Sequence, residues 1–220
     1  MGEDLATDHN LVLTSSRPWP QEARQKHDSK QSQIRNLHWD AQEPTLGSRM
    51  MADLDRLKQD GWALSGAVIV AGTFPHQPLG TWTQESLEAN WRLNLGFPML
   101  CAQALAPYLS DGACLQFLLD TVIHHPWLQR LPYGAAKAGL ASLVPGLAQL
   151  LAPKVRVVGH ALGTLLPAAE SDPVLLAKQT LLQRIGNPAD LVRAVRYAAD
   201  SPFLTGEILT LDGGRRWVDR

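Results

Sequence analysis

Long apolar runs and an excess of charge of either sign are both missing from this sequence. No stretch approaches the roughly 20 consecutive apolar residues that a membrane span needs. The net charge at pH 7 is only -1, so there is no basic excess to hold nucleic acid or anionic lipid. With 45% apolar residues in 220, the chain suits one soluble domain whose partners are neither membranes nor nucleic acids.

Cysteine is also scarce, and the few metal-binding residue types are poorly spaced. Cys101 and Cys114 are the only cysteines, and their apolar surroundings predict two reduced core thiols in a cytoplasmic protein. The first ten residues, MGEDLATDHN, are polar and acidic, unlike a secretory signal. Adjacent His124 and His125 point in different directions and have no third ligand at a useful spacing, so we expect no metal site.

What the sequence does contain is an alternation of short β-like runs and longer helical ones. The apolar runs predict strands at Asn10–Thr14, Ile34–Trp39, Ala67–Ala71, Cys114–Leu119, Val155–Val158 and Ile208–Leu211. The helical patterns lie at Leu46–Gln59, Gln84–Tyr108, Tyr133–Leu151 and Pro188–Ala199. We therefore predict one α/β domain over residues 1–220, with a doubly wound, mostly parallel, Rossmann-like sheet. Such sheets bind ligands at the carboxyl ends of their strands.

The motif Tyr133-Gly-Ala-Ala-Lys137 is the clearest chemical signal. A spacing of four places both side chains on one face of a helix, within reach of one ligand. A tyrosine with a pKa of about 10 is a poor acid–base group at neutral pH, and a nearby ammonium favours its phenolate. Alone, however, a Tyr and a Lys four apart also occur by chance.

Other motifs stand around this pair, and together they resemble the short-chain dehydrogenase/reductase family. The matching segments, in chain order, are Val68–Gly72, Asn90–Leu95, Tyr133–Lys137, Val155–Val157, Thr205–Glu207 and Leu211–Gly214. The resemblance implies that Asn94, Tyr133 and Lys137 are catalytic. It also implies that Lys137 contacts the cofactor, together with the residues Ala71, Gly72 and Gly163.

Two further positions resemble the pteridine reductases within this family. Asp120 stands thirteen residues before Tyr133, where most members carry a serine, and Phe74 stands where a phenylalanine stacks on the pterin. The resemblance implies hydride transfer to a C=N bond of a dihydropterin or dihydrofolate, with Tyr133 and Asp120 as proton donors and with Phe74, Asp120 and Tyr133 binding the substrate. In this scheme Lys137 holds the ribose and lowers the tyrosine pKa, while Asn94 fixes the backbone.

The cofactor implied by the resemblance is NADPH. A basic residue after the second strand of such a fold accommodates the 2′-phosphate of NADP, whereas an acidic residue binds an unmodified ribose. Ser16 and Arg17 offer a hydroxyl and a guanidinium there. Asp40 resembles the aspartate with which the family contacts adenine. The alternative for Arg17 is an ordinary exposed arginine beside a turn.

The chain departs from the family at its beginning. Gly2 resembles the last glycine of the phosphate-binding loop, so the first central strand and most of the glycine loop are not matched. Three interpretations stay open: a start upstream of Met1, a sheet that closes around the loss, or a non-catalytic relative that serves as a binding or oligomer partner. A reductase of another carbonyl substrate is a further alternative. The family resemblance also implies a homodimer or homotetramer.

Overall fold

The structure, a computed structural model, describes residues 11–15, 34–167 and 171–218, and for residues 11–15 and 34–36 only the backbone. The chain divides into two compact units, Met1–Trp62 and Ala63–Arg220. Within the described residues each unit has a parallel sheet of its own. A single domain over residues 1–220 therefore stays a prediction.

The first unit contains two parallel strands followed by a helix. Strand β1 (Leu11–Ser15) pairs with β2 (Ile34–His38) in parallel. Helix α1 (Leu46–Gln59) has the predicted bounds. Its buried side chains recur every three or four residues, which makes one apolar stripe, at Leu46, Met50, Leu54 and Leu57. The indole N–H of Trp39 donates to Asp53 of this helix at 3.0 Å and so ties the end of β2 to it.

The second unit is built on four parallel strands in the order β3-β4-β5-β6. Their bounds are Leu64–Ile69 for β3, Leu109–Asp120 for β4, Val155–Leu162 for β5 and Ile208–Leu211 for β6. Asp120 is in register with Leu162, which in turn is in register with Leu211. Because the strands are parallel, their carboxyl ends share one edge of the sheet, where this fold class binds ligands.

Helices connect these strands, as the alternation of patterns predicts. The predicted helix Gln84–Tyr108 is divided into α2 (Gln84–Trp91), a π-helical turn (Arg92–Gly96), α3 (Phe97–Leu105) and a 3-10 turn (Ala106–Tyr108). The remaining helices are α4 (Leu131–Leu151), α5 (Pro173–Lys178) and α6 (Pro188–Asp200). None of the helices in the described residues is long and apolar enough to cross a membrane.

The α/β, Rossmann-like prediction is confirmed, with corrections at the strand ends. Strands β4 and β5 are longer than predicted, because residues of low strand propensity such as Asp120 and Gly159 are carried into the ladder by pairing with Leu162 and Phe117. The described strands form two sheets. Cys101 and Cys114 are free and buried, as predicted.

Candidate active site

Asp120 and Tyr133 meet at the carboxyl edge of the four-stranded sheet. Asp120 ends β4, and Tyr133 lies in the first turn of α4. The tyrosine hydroxyl donates to Asp120 Oδ2 at 2.9 Å, while Oδ1 of the same carboxyl accepts the backbone N–H of Val122 at 2.7 Å. The second bond caps the short turn after β4, so the carboxyl is aimed at the tyrosine by the local backbone.

The electrostatic state of this pair follows from its burial. Burial raises the pKa of Asp120, against the opposing effects of the Val122 N–H, the Tyr133 hydroxyl and the charges of Lys137 and Arg215. Burial and the adjacent carboxylate also raise the pKa of Tyr133 above its usual value. The prediction that Lys137 lowers the tyrosine pKa is therefore wrong for this arrangement. The carboxylate is in direct contact with the hydroxyl, whereas the ammonium is 5.9 Å from the ring centre.

Lys137 is buried, with only 4% of its surface exposed. Its Nζ donates to the carbonyl of Leu118 at 3.0 Å and to that of Ala71 at 3.4 Å. Burial lowers the pKa of this amine to about 8, although the charge of Asp120 acts in the opposite direction. Since an ammonium has three N–H donors, two carbonyls fix its direction and one donor is left for a ligand.

Asn94 lies in the π-helical turn between α2 and α3, and Pro98 gives a reason for that turn. Proline has no N–H to donate to the carbonyl four residues before it, which here belongs to Asn94, and its ring crowds that carbonyl. The helix widens instead, so that the N–H of Phe97 bonds to the carbonyl of Arg92, five residues back. The fully buried Asn94 then accepts the backbone N–H of Thr73 at 3.1 Å through Oδ1.

Gly72 is required by close packing beside Asn94. Its φ is +150°, and a Cβ at this position would lie 2.5 Å from Asn94 Oδ1 and 3.4 Å from Lys137 Nζ. Ala71 and Gly72, both predicted cofactor contacts, are thus placed at this site. The other predicted glycine, Gly163, follows β5, and a Cβ there would be 2.8 Å from Asp212 Cα. The structure accounts for Gly163 by this close approach of two loops.

The open side of the site is aromatic and cationic. The Phe74 ring is 46% exposed and meets the ring of Tyr133 edge-to-face, with centres 4.9 Å apart. Trp127 packs on Phe74 in the same manner at 5.7 Å. The guanidinium of Arg130 lies 3.8 Å over the Phe74 ring, and that of Arg215 lies 4.5 Å from the Trp127 ring centre. Trp127, Arg130 and Arg215 were not predicted as site residues, because short turns have no periodicity that marks the side chains facing the site.

The structure does not test the predicted cofactor contacts of Ser16, Arg17 and Asp40. Ser16 and Arg17 are outside the described residues. Asp40 belongs to the first unit, where its side chain accepts the N–H of Gln42 at 2.9 Å. His124 and His125 contact Thr210 Oγ1 and the carbonyl of Arg216, respectively, and the described residues contain no cluster of three metal-ligating side chains.

The family of this chain can be assigned by comparison with known protein families. The model of a family described as enoyl-(acyl carrier protein) reductase matches residues 6–216. The structural neighbours carry the name short-chain dehydrogenase/reductase. The chain belongs to the short-chain dehydrogenase/reductase family.

Individual curated relatives are similar over part of their length. Tropinone reductase-like 3 from Erythroxylum coca is 31% identical over 143 residues, 60% of this chain and 55% of that protein. Dihydromonapterin reductase from Enterobacter sp. (strain 638) is 24% identical over 169 residues, 73% of this chain and 70% of that protein. The chain spans less than two thirds of the length of the first curated relatives that it matches.

Solved structures are similar over nearly the whole chain. A short-chain dehydrogenase from Burkholderia cenocepacia J2315 in complex with NADP has a TM-score of 0.86 at 21% identity, covering 97% of this chain and 90% of that one. A short-chain dehydrogenase/reductase from Serratia marcescens BCRC 10948 has a TM-score of 0.83 at 18% identity, covering 94% and 87%. At such identities the likeness shows the fold.

Proposed function

We propose that this chain is an NADPH-dependent reductase that transfers a hydride to the C=N bond of a dihydropterin or dihydrofolate. The observation that carries the proposal is the 2.9 Å hydrogen bond between Tyr133 and Asp120. A carboxyl group beside the tyrosine can both accept a hydrogen bond from a ring N–H and relay a proton, which suits a basic ring nitrogen better than a hydroxyl does.

The residues around Tyr133 fit the nicotinamide end of such a cofactor. Lys137 keeps one N–H donor after its two carbonyl bonds, which suits a ribose hydroxyl. Gly72 and Asn94 pack so closely that a side chain at Gly72 is excluded, which fixes the backbone that the family resemblance assigns to the cofactor. When bound, NADPH would supply the hydride. Ser16, Arg17 and Asp40 are proposed for its adenosine end.

Proton delivery is the part of the reaction for which these side chains are arranged. While Asp120 is ionised, the hydroxyl of Tyr133 is directed at the carboxylate. Because burial raises the pKa of Asp120, its protonated form is available nearer to neutral pH than that of an ordinary aspartate. Protonated Asp120 donates to the tyrosine oxygen, which turns the tyrosine proton towards the substrate nitrogen. Asp120 then replaces the proton that Tyr133 gives away.

The pterin is supported by the open side of the site. Phe74 already holds a planar guanidinium, that of Arg130, 3.8 Å over its ring. The 2-aminopyrimidinone edge of a pterin contains the same planar N–C(N)–N unit and would take this place by stacking. The relative named dihydromonapterin reductase agrees with this substrate class.

The experiment is to follow NADPH oxidation with 7,8-dihydropterin, dihydrofolate and a panel of ketones, with NADH as the cofactor control. We expect oxidation of NADPH with the dihydropterin or dihydrofolate. Turnover of ketones alone would assign a carbonyl reductase instead. The absence of NADPH oxidation with every substrate would contradict an enzymatic role and favour a non-catalytic binding protein.

We also propose that the protein is a homodimer or homotetramer. Large apolar side chains are exposed on α2, α3 and α4, namely Trp91, Met99, Leu100 and Leu150. Their burial against a second copy would remove apolar surface from water. Light scattering at micromolar concentration should give at least twice the 24.1 kDa mass of the chain; a monomer would contradict the proposal.

A further inference from the structure

Three buried amide side chains form a chain of hydrogen bonds behind Asn94. Asn94, Asn90 and Gln77 are 0%, 3% and 7% exposed. Asn94 Nδ2 donates to Asn90 Oδ1 at 2.6 Å, and Asn90 Nδ2 donates to Gln77 Oε1 at 3.1 Å. Gln77 Nε2 donates to the backbone carbonyl of Ser86 at 3.2 Å. Nothing in the proposed reaction uses Asn90 or Gln77 directly.

Both ends of this chain are backbone groups, and they fix its direction. An amide side chain has one donor end and one acceptor end, which a flip exchanges. The carbonyl of Ser86 can only accept, so Gln77 must turn its oxygen towards Asn90. Asn90 must then turn its own oxygen towards Asn94. In this orientation Asn94 Oδ1 faces the backbone N–H of Thr73, which it accepts at 3.1 Å. Asn94 Nδ2 also donates to the backbone carbonyl of Asn90 at 3.2 Å and to Thr73 Oγ1 at 3.4 Å, so the Gln77–Asn90 chain adds to an orientation that these contacts also favour.

Gln77 also joins the two loops at the open side of the site. Its backbone N–H donates to the carbonyl of Gln129 at 2.9 Å, in the segment just before α4. Its own carbonyl accepts the indole N–H of Trp82 at 2.9 Å. One residue therefore holds the loop that contains Phe74 and, through Asn90, also orients Asn94.

We propose that Gln77 is a positioning residue, which acts through Asn90 to orient the Asn94 amide and thereby to place the backbone of Gly72 and Thr73. If Asn94 flipped, its Nδ2 would meet the N–H of Thr73 donor to donor and push the loop after β3 away. Any ring bound against Gly72 would then be displaced relative to Tyr133. The proposal rests on the function proposed above for its effect on turnover.

The same unit provides a matched control. Gln116 is also a buried glutamine, 2% exposed. Its Nε2 donates to the carbonyl of Val195 at 3.3 Å, and its Oε1 contacts His160 Nε2 at 2.7 Å. Its hydrogen bonds thus lead to α6 and β5, not to Asn94. Gln77→Leu and Gln116→Leu remove the same chemical group from two buried sites.

The experiment compares Gln77→Leu, Asn90→Leu, their double variant and Gln116→Leu. We expect every variant to lose thermal stability, because each leaves buried polar partners unsatisfied. Only the first three should lower kcat, by about tenfold to a hundredfold, as small misplacements of reacting groups do. The double variant should be no slower than the worse single variant, since the two residues act in one chain.

A second readout is independent of activity. Amide hydrogen exchange at Thr73 should accelerate in Gln77→Leu and stay unchanged in Gln116→Leu. A loss of kcat in Gln116→Leu equal to that in Gln77→Leu, or unchanged exchange at Thr73 in Gln77→Leu, would overturn the proposal.

If Gln77→Leu does not fold, Gln77→Glu replaces it. This variant keeps an acceptor for Asn90 and loses the donor to Ser86, so we expect slow exchange at Thr73 to be retained in part. Exchange at Thr73 as fast as in Asn90→Leu would contradict that expectation. If the unaltered protein shows no turnover, the reductase proposal fails while the Thr73 exchange still tests Gln77.

Discussion

The two sides of the candidate active site are built in different ways. On one side Tyr133 and Lys137 are buried, and they bond to Asp120 or to backbone carbonyls. On the other side Phe74 is exposed to 46% and is held by ring contacts and the Arg130 guanidinium. We infer that the buried side determines the proton chemistry and the exposed side the choice of substrate.

Removing the tyrosine hydroxyl should have the largest effect. Tyr133→Phe keeps the ring that contacts Phe74 but has no proton to give, so we expect kcat to fall roughly a hundredfold to ten-thousandfold, the usual contribution of a general acid. Steady-state NADPH oxidation measures the loss, and NADPH binding should be preserved. Retention of more than half of the turnover by this variant would show that the proton comes from elsewhere.

Lys137→Met should weaken NADPH binding and remove a pH dependence. The pKa of Lys137 is lowered to about 8 by burial, so in the unaltered protein affinity should fall as pH rises through 8 and the ammonium is lost. The variant should bind weakly at every pH. Fluorescence titration between pH 6 and about 10 tests this across the usual range of a lysine pKa.

The lowered pKa of Lys137 also makes the stability of the folded protein depend on pH. Between pH 8 and the usual lysine value of 10.5, the unfolded chain still binds a proton that the folded chain has lost, so the Lys137 contribution to stability rises with pH. Lys137→Met should lack that rise in thermal unfolding. An identical pH profile in both proteins would contradict the assigned burial of the amine.

Asp120→Ser should change which substrate the enzyme prefers and should not abolish the reaction. It loses the carboxyl that relays a proton to a ring nitrogen, so we expect turnover of the dihydropterin to fall by about tenfold to a hundredfold, the value of a hydrogen bond to a charged group. A hydroxyl next to Tyr133 suits a carbonyl oxygen, so activity on ketones should rise. The measurement is the ratio of dihydropterin turnover to ketone turnover in the unaltered protein and in Asp120→Ser. If this ratio is the same in both proteins, Asp120 does not determine the choice of substrate.

Phe74→Leu should have the smallest effect and should act mainly on KM. Leucine keeps apolar contact with Tyr133 and Trp127 but removes the stacking face, which is worth about 0.5–1.5 kcal/mol, or up to about tenfold in KM. The buried side is untouched, so kcat should stay within a factor of about two. A large fall in kcat with constant KM would mean that Phe74 affects the proton transfer, and it would contradict the separate roles inferred for the two sides.

The sequence predicts the buried side far better than the exposed one. Tyr133 and Lys137 follow from a helical spacing of four, whereas Asp120 follows from a resemblance to the pteridine reductases, thirteen residues before the tyrosine. Trp127 and Arg130 lie at a three-residue 3-10 turn between β4 and α4, which is too short for a period to mark the side chains that face the site. The tyrosine pKa was predicted in the wrong direction, because sequence cannot show that Lys137 bonds to carbonyls while Asp120 takes the hydroxyl.

The fold shows the same contrast between periodic and local features. Every predicted strand and helix in the described residues is found, because apolar periodicity marks them. The π-helical turn at Arg92–Gly96 and the short helix α5 were missed. The first depends on a missing donor at Pro98, and the second is only six residues long, too short to show a period.

The most direct test of the central claim is a single turnover with NADPH and 7,8-dihydropterin, comparing the unaltered protein with Tyr133→Phe. We expect one tetrahydropterin for each NADPH oxidised by the unaltered protein, and the variant should bind NADPH but oxidise it roughly a hundredfold to ten-thousandfold more slowly. Equal rates in the two proteins, or NADPH bound but never oxidised by the unaltered protein, would contradict it.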